Sequence, residues 1–258
     1  MQYFCTLASG SSGNAALYVS GRARILIDAG TNCKHIRAML AGLDINTAEL
    51  TDILITHTHT DHVSALPVLL KHTGARLWCS SGAYGELCSL VGSARPQCFE
   101  TGEELDLNGV GVRSFATPHD SPGSVGYILG EGGSAVGYCT DLGRVTPGIL
   151  EALSGLPTVA LESNHDVDML RAGPYPYSIK ARILSDTGHL SNHSCACALE
   201  ALVQKGTRRV VLTHLSDKNN TPRHADAEAR LALYRQGAQD DVSIAVAPRR
   251  AALEPVAL

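Results

Sequence analysis

Seven consecutive residues, Thr56 to His62, read T-H-T-H-T-D-H. Three imidazoles and a carboxylate in so short a span are too many titratable groups to bury without something that organises them. A divalent cation does this, since imidazole and carboxylate together suit Zn and also Mn or Fe. The stretch follows the apolar Ile53-Leu54-Ile55 and precedes Val63-Ser64-Ala65-Leu66, where a helical pattern begins. The predicted setting is a strand end, a short polar turn and a helix start. In an extended turn alternate side chains share a face, so His57 and His59 can hold one ion together. Asp61 and His62 can turn toward a second.

Two ions need more ligands, and three further residues share the same grammar of apolar run, polar residue, turn. His119 follows residues 112–117 in T-P-H-D, Asp141 follows 135–139 in Y-C-T-D-L-G, and His214 follows 209–213 in V-V-L-T-H-L-S. Taken singly, each reads as an ordinary cap or surface residue. Glu162 closes another apolar run in V-A-L-E-S-N-H-D, and His189 stands in T-G-H-L-S-N just before a helical pattern. Alone, His189 is a helix-start residue. His165, between Asn164 and Asp166, has no assigned place, and His35, His72, His193 and His224 are expected at the surface.

The elements that must position these groups are legible in outline. Strands are expected over residues 3–8, 15–19, 24–28, 76–79, 135–140, 158–162, 208–213 and 242–247, with a strand-rich stretch from 97 to 129. Helices are expected over 33–41, 62–72, 192–205 and 224–235. Two strand-rich halves, each supplied with helices, fit one α/β sandwich spanning residues 1–258, with no internal linker. Ser9-Gly10-Ser11-Ser12-Gly13-Asn14 is either an ordinary hairpin turn or a loop whose amides approach an anion. Residues 164–185, with Pro174, Pro176, two tyrosines and several basic groups, form the least regular stretch, expected as a lid or a substrate-facing loop.

Hydrophobic content of 44% with 18% charged residues is that of a soluble globular chain with a substantial core. No apolar run approaches the ~18 residues of a membrane span, and the N-terminus lacks the pattern of a secretory signal. Eight scattered cysteines without a CxxC pair predict reduced thiols in a cytoplasmic protein. Cys195 and Cys197 lie about 200° apart on their predicted helix and cannot clamp one ion. A net charge of -4 gives no broad basic signature for nucleic acid, although ions and a local patch can supply positive charge.

The motif H-x-H-x-D-H after an apolar strand resembles the first metal motif of the metallo-β-lactamase-fold hydrolases. That resemblance implies an αββα sandwich, two packed mixed β-sheets flanked by helices, with a two-metal site at one edge. It also implies that His57, His59 and His119 hold one ion, that Asp61, His62 and His214 hold the other, and that Asp141 bridges them. Such a pair can make hydroxide from a shared water near neutral pH, with Asp61 orienting it. The pairing of Glu162 with Gly188-His189 resembles the phosphodiesterase branch of the superfamily, tRNase Z included. There the histidine assists the departing oxygen and the glutamate fixes its tautomer.

L-A-S-G-S-S-G-N, E-S-N-H-D, G-P-Y-P-Y-S-I-K-A-R-I-L, G-H-L-S-N and L-T-H-L-S-D-K-N-N together resemble the YycJ/WalJ-like group across nearly the whole chain. This implies a DNA exonuclease of 5′-to-3′ polarity, often manganese-supported. Ser11, Ser12, Asn14, Lys180, Arg182 and Asn192 are then the candidate substrate contacts, and Asp61, Glu162 and His189 the candidate catalytic groups. A small cyclic or nucleotide diester is the alternative substrate. A glyoxalase II-type thioesterase is disfavoured because that family appends a helical domain, whereas only about forty residues follow His214. A β-lactamase is disfavoured by Asp141 at the bridging position. A binding module that kept the fold is disfavoured by retention of all seven ligand types.

Overall fold

The computed structural model describes residues 2–258. The first half of the chain supplies strands Gln2–Ala8 (β1), Ala15–Ser20 (β2), Ala23–Ile27 (β3), Asp52–Leu54 (β4), Arg76–Ser80 (β5) and Gln97–Phe99 (β6). The second supplies Glu104–Asp106 (β7), Gly111–Ala116 (β8), Val125–Leu129 (β9), Val136–Cys139 (β10), Thr158–Glu162 (β11), Arg209–Thr213 (β12) and Ser243–Val246 (β13), with Val256–Ala257 (β14) after them. They form two sheets, in the orders β14-β1-β2-β3-β4-β5-β6 and β13-β12-β11-β10-β9-β8-β7. Each sheet is half antiparallel and half parallel: β1 to β3 and β7 to β10 pair antiparallel, β3 to β6 and β10 to β13 parallel.

Parallel strands are covered on both faces, and their side chains divide accordingly. On β3 and β4, Ile25, Ile27 and Leu54 face the other sheet, while Leu26 and Ile53 face the helices outside. On β11 and β12, Ala160 and Val211 point inward while Val159, Leu161, Val210 and Leu212 point outward. The inner layer holds Phe4, Tyr18, Tyr127 and Tyr138, all essentially buried. The Tyr127 hydroxyl spans the layers by donating to the Ile55 carbonyl at 2.6 Å, just before the histidine-rich turn.

The helices are Cys33–Gly42 (α1), Thr60–Val63 (α2), Leu66–Leu69 (α3), Tyr84–Val91 (α4), Pro147–Leu153 (α5), Val167–Ala172 (α6), Tyr177–Ile183 (α7), Asn192–Gln204 (α8) and Pro222–Arg235 (α9). Two departures from the sequence expectation have clear causes. The single helix expected over 62–72 is broken into α2 and α3, with Pro67 at the start of α3, where its missing N–H costs least. The stretch expected to be least regular carries α6, capped by Asp166 accepting from the Met169 amide at 2.8 Å, and α7. No helix among the described residues is long and apolar enough to cross a membrane. All eight cysteines are free thiols.

Candidate metal centre

Loops leaving β4, β8, β10, β11 and β12 meet at one edge of the sandwich, beyond the carboxyl ends of the parallel strands, where open α/β sheets gather ligands. They bring together all seven residues of the expected ligand set. The candidate ligand atoms of His57, His59 and His119 lie within 4.8 Å of one another, as do those of Asp61, His62 and His214. Asp141 stands between the two groups. Its Oδ2 is 3.1 Å from His62 Nε2 and its Oδ1 3.9 Å from His119 Nε2.

The rings are oriented from behind. His62 Nδ1 donates to Asp28 at 2.8 Å, and His119 Nδ1 donates to the Gly188 carbonyl at 3.1 Å. His214 Nδ1 lies 2.9 Å from Glu162, and His57 Nδ1 lies 3.0 Å from the Thr56 hydroxyl. In all four, Nδ1 is committed to a protein partner, and in His57, His119 and His214 Nε2 is left for the centre, the pattern by which outer partners set a ligating tautomer; His62 Nε2 lies 3.0 Å from Asn14 Nδ2 and 3.1 Å from Asp141 Oδ2. The Nε2 atoms of His57 and His214 are buried without any hydrogen-bond partner, and His119 Nε2 faces His59 Nδ1 at 3.1 Å. Lone pairs so gathered and unanswered fit a divalent cation. The His57 ring is held well below its ordinary pKa by burial and by its histidine neighbours, chiefly His62.

The backbone is bent to achieve this. Asp28, Asp141 and His214 have φ values of 61°, 56° and 55°, a left-handed conformation costing roughly 1–2 kcal/mol for a residue with a Cβ. It is paid for by a dense frame: Ser9 Oγ accepts from the His214 amide at 2.8 Å, and the Asn14 amide donates to the Asp61 carbonyl at 2.8 Å. At Gly30 any Cβ would lie 1.5 Å from the Asp61 carbonyl oxygen, so only glycine admits that close approach.

Glu162, fully buried, accepts from His189 Nδ1 at 2.8 Å and from the Leu142 and Leu190 amides at 2.9 and 3.2 Å. Burial opposes its ionisation, but the His189 and His214 imidazoles hold its carboxyl at about 2. Glu162 and His189 also lie within ligand distance of Asp141 and His214. Both oxygens of Glu162 are already engaged by these donors, with Oε1 shared between His189 and His214. His189 lines a cavity of about 250 Å³ with Asp61, Asp141, His214, Ser11 and Arg182. A larger hollow of about 490 Å³ between α6, α8 and α9 holds charges of both signs. Convergence of polar groups, and not size, marks the site.

Of the six candidate substrate contacts, Ser11 and Arg182 line the cavity and four do not. Asn14 is fully buried, its amide spent on the Gly10 N–H, Asp61 and His62. Asn192 is buried against Ser163 and Asn220. Lys180 donates to the Arg171 carbonyl at 2.6 Å, and Ser12 faces solvent. His165 is buried beside Ser191 with neither ring nitrogen partnered, and burial takes its pKa to about 4. His72, His193 and His224 are exposed as expected, whereas His35 is half-buried. Sequence reading missed Asp28, although Ile25-Leu26-Ile27-Asp28-Ala29-Gly30 repeats the strand-end grammar.

Fold and site define a metallo-β-lactamase-fold hydrolase. Residues 23–215 match the model of the beta-lactamase superfamily domain, and the chain belongs to that family. It is 32% identical over 238 residues to Exodeoxyribonuclease YycJ of Bacillus anthracis, covering 91% of this chain and 90% of that one. It is 32% identical over 248 residues to Exodeoxyribonuclease WalJ of Streptococcus pneumoniae, covering 94% and 91%. Human tRNase Z, short form, superposes with a TM-score of 0.66 at 16% identity, over 97% of this chain and 98% of that one, a likeness of fold.

Proposed function

We propose that the protein is a dinuclear metal-dependent phosphodiester hydrolase, acting as a DNA exonuclease from 5′ ends in the cytoplasm. The observation that carries the reading is the Glu162–His189 pair, whose imidazole stands in the same cavity wall as Asp61 and Asp141 with the buried carboxylate behind it. A metal-binding module has no need of an oriented imidazole beside its ligands. A phosphodiester does need one, because its departing oxygen leaves poorly without a proton. The names carried by the two bacterial relatives support DNA as the substrate.

His57, His59 and His119 would hold one ion and Asp61, His62 and His214 the other, with Asp141 placed between the two groups to serve both. Zn, Mn and Fe all suit this set. When bound, the ions supply an acidified water and neutralise charge on phosphoryl oxygens. Asp61, partly open to the cavity, orients the attacking water. His189 has no partner on Nε2 among the described residues and gives its proton there to the departing oxygen. Glu162, on Nδ1, holds that ring in the productive tautomer and balances its charge. Ser11 and Arg182 bind the strand from the cavity wall.

The test is a time course on linear DNA labelled separately at each end, with Mn supplied. Early release of label from the 5′ end is expected, with a shallow dependence on salt because few phosphates are neutralised. Release from the 3′ end first would reverse the polarity. Brisk hydrolysis of a small diester with no DNA cleavage would move the substrate to that class.

A further inference from the structure

Arg182 enters the cavity from α7, and its orientation is set by Asp120, the residue after His119. Arg182 Nε donates to Asp120 Oδ2 at 2.6 Å and Nη2 to Oδ1 at 3.0 Å. A guanidinium has five N–H donors in a fixed fork. Pairing through the Nε edge uses two and leaves the other three without a partner among the described residues, on the edge away from Asp120. The other face of the Asp120 carboxylate looks onto two candidate ligands, with Oδ1 3.5 Å from His119 Nε2 and 3.7 Å from His59 Nε2. The anchored end of α7 is itself fixed. The His189 amide donates to the Ile183 carbonyl at 3.0 Å, and a Cβ on Gly188 would strike the Arg182 carbonyl oxygen at 2.2 Å.

The side chains of Arg182 and Asp120 are 52% and 32% exposed, and of the two only Arg182 lines the cavity. Half-exposed ion pairs add little to folding stability. What this one does supply is direction. Arg182 shares the cavity wall with Asp61, Asp141 and His189, and planar two-point contact with a phosphate is what its free edge is shaped to make.

We propose that Asp120 is a positioning residue, which turns Arg182 so that its unpaired edge receives a phosphoryl oxygen of a diester seated in the cavity. This rests on the phosphodiesterase reading of the site but not on DNA as the natural substrate. Asp120 touches no substrate; it acts through Arg182.

The experiment uses the full chain loaded with Mn and four variants: Asp120→Asn, Asp120→Glu, Arg182→Lys and the Asp120→Asn/Arg182→Lys double. Two quantities are read, the Kd of inorganic phosphate by calorimetry and the kinetics of bis-p-nitrophenyl phosphate hydrolysis. Asp120→Asn is expected to weaken phosphate binding and raise KM by roughly 10-fold, the scale of one charge-assisted hydrogen bond. Metal content and melting temperature should hold, and kcat should change little, as for lost uniform binding. Asp120→Glu should recover most of the affinity, and the double variant should be no worse than Arg182→Lys alone, since the two residues act as one unit.

Unchanged phosphate affinity in Asp120→Asn would overturn the proposal, as would absence of phosphate binding by the native protein. Loss of metal in Asp120→Asn would make Asp120 a ligand and overturn it too. A native protein that hydrolyses the small diester but no DNA removes the nuclease reading and leaves this inference standing. A working 5′ exonuclease with an unmoved Asp120→Asn does the reverse.

Discussion

The floor of the cavity and its roof are held by opposite means. On the floor, His57 and His62 are fully buried, Asp141 and His214 are 1% exposed, and each is tied to a partner behind it. On the roof, α7 has no buried residue; Tyr177 is 87% exposed, and Ile179 and Leu184 also face solvent. A functional constellation needs its first contacts locked by a supporting shell, because small misplacements are expensive. A surface that meets a long and variable ligand gains from being lightly held, since weakly packed elements open at little cost. The contrast separates chemistry from recognition within one cavity.

The contrast can be broken or sharpened by substitution, and the largest effect is expected on the floor. Asp141→Ala removes the carboxylate that touches both ligand groups. Metal content should fall, and turnover of bis-p-nitrophenyl phosphate should vanish. Full loading with a near-normal rate would end the bridging assignment. His189→Ala should keep its metals and lose on the order of 10²–10⁴ in rate, the range of general acid catalysis. If metal analysis shows a site emptied, His189 is a ligand, as its closeness to Asp141 and His214 would allow.

A smaller loss is expected one layer back. Asp28 accepts from the Thr56 amide at 2.9 Å, the Thr56 hydroxyl at 2.9 Å and His62 Nδ1 at 2.8 Å. Asp28→Asn leaves one acceptor for three donors, so metal affinity should drop roughly 10–100-fold, as for other outer partners of metal-bound histidine. Competition with a chelating dye would measure it, and an unchanged affinity would show that the ring is held by packing alone. The smallest effect belongs to the roof. Tyr177→Ser should leave stability within about 0.5 kcal/mol and hydrolysis of the small diester unchanged. KM for single-stranded DNA should rise roughly 5-fold if the ring stacks on a base. An unmoved KM would mean that α7 does not meet the strand.

Most of the floor could be read from the chain because its residues obey a local rule. A largely buried strand ends, and a polar residue just beyond it faces the sheet edge; His57, His119, Asp141 and His214 all do this. Asp28 obeys it too, but nothing local says that it meets His62, which lies 34 positions later. Side-chain type misled at Asn14 and Asn192. Both were expected to meet substrate, yet Asn14, just before β2, and Asn192, in the first turn of α8, are buried as braces of the frame. The pairing of Asp120 with Arg182, 62 positions apart, had no local signal at all.

The sequence by itself determined the class of fold and nominated seven candidate ligands, because the short motifs that carry the family resemblance are local properties of the chain. Only the tertiary structure decided which nitrogen of each imidazole faces inward, which amides are spent on the frame, and which arginine is aimed into the cavity. Those depend on partners brought together by two sheets packing face to face, and no spacing along one strand encodes the angle at which another arrives.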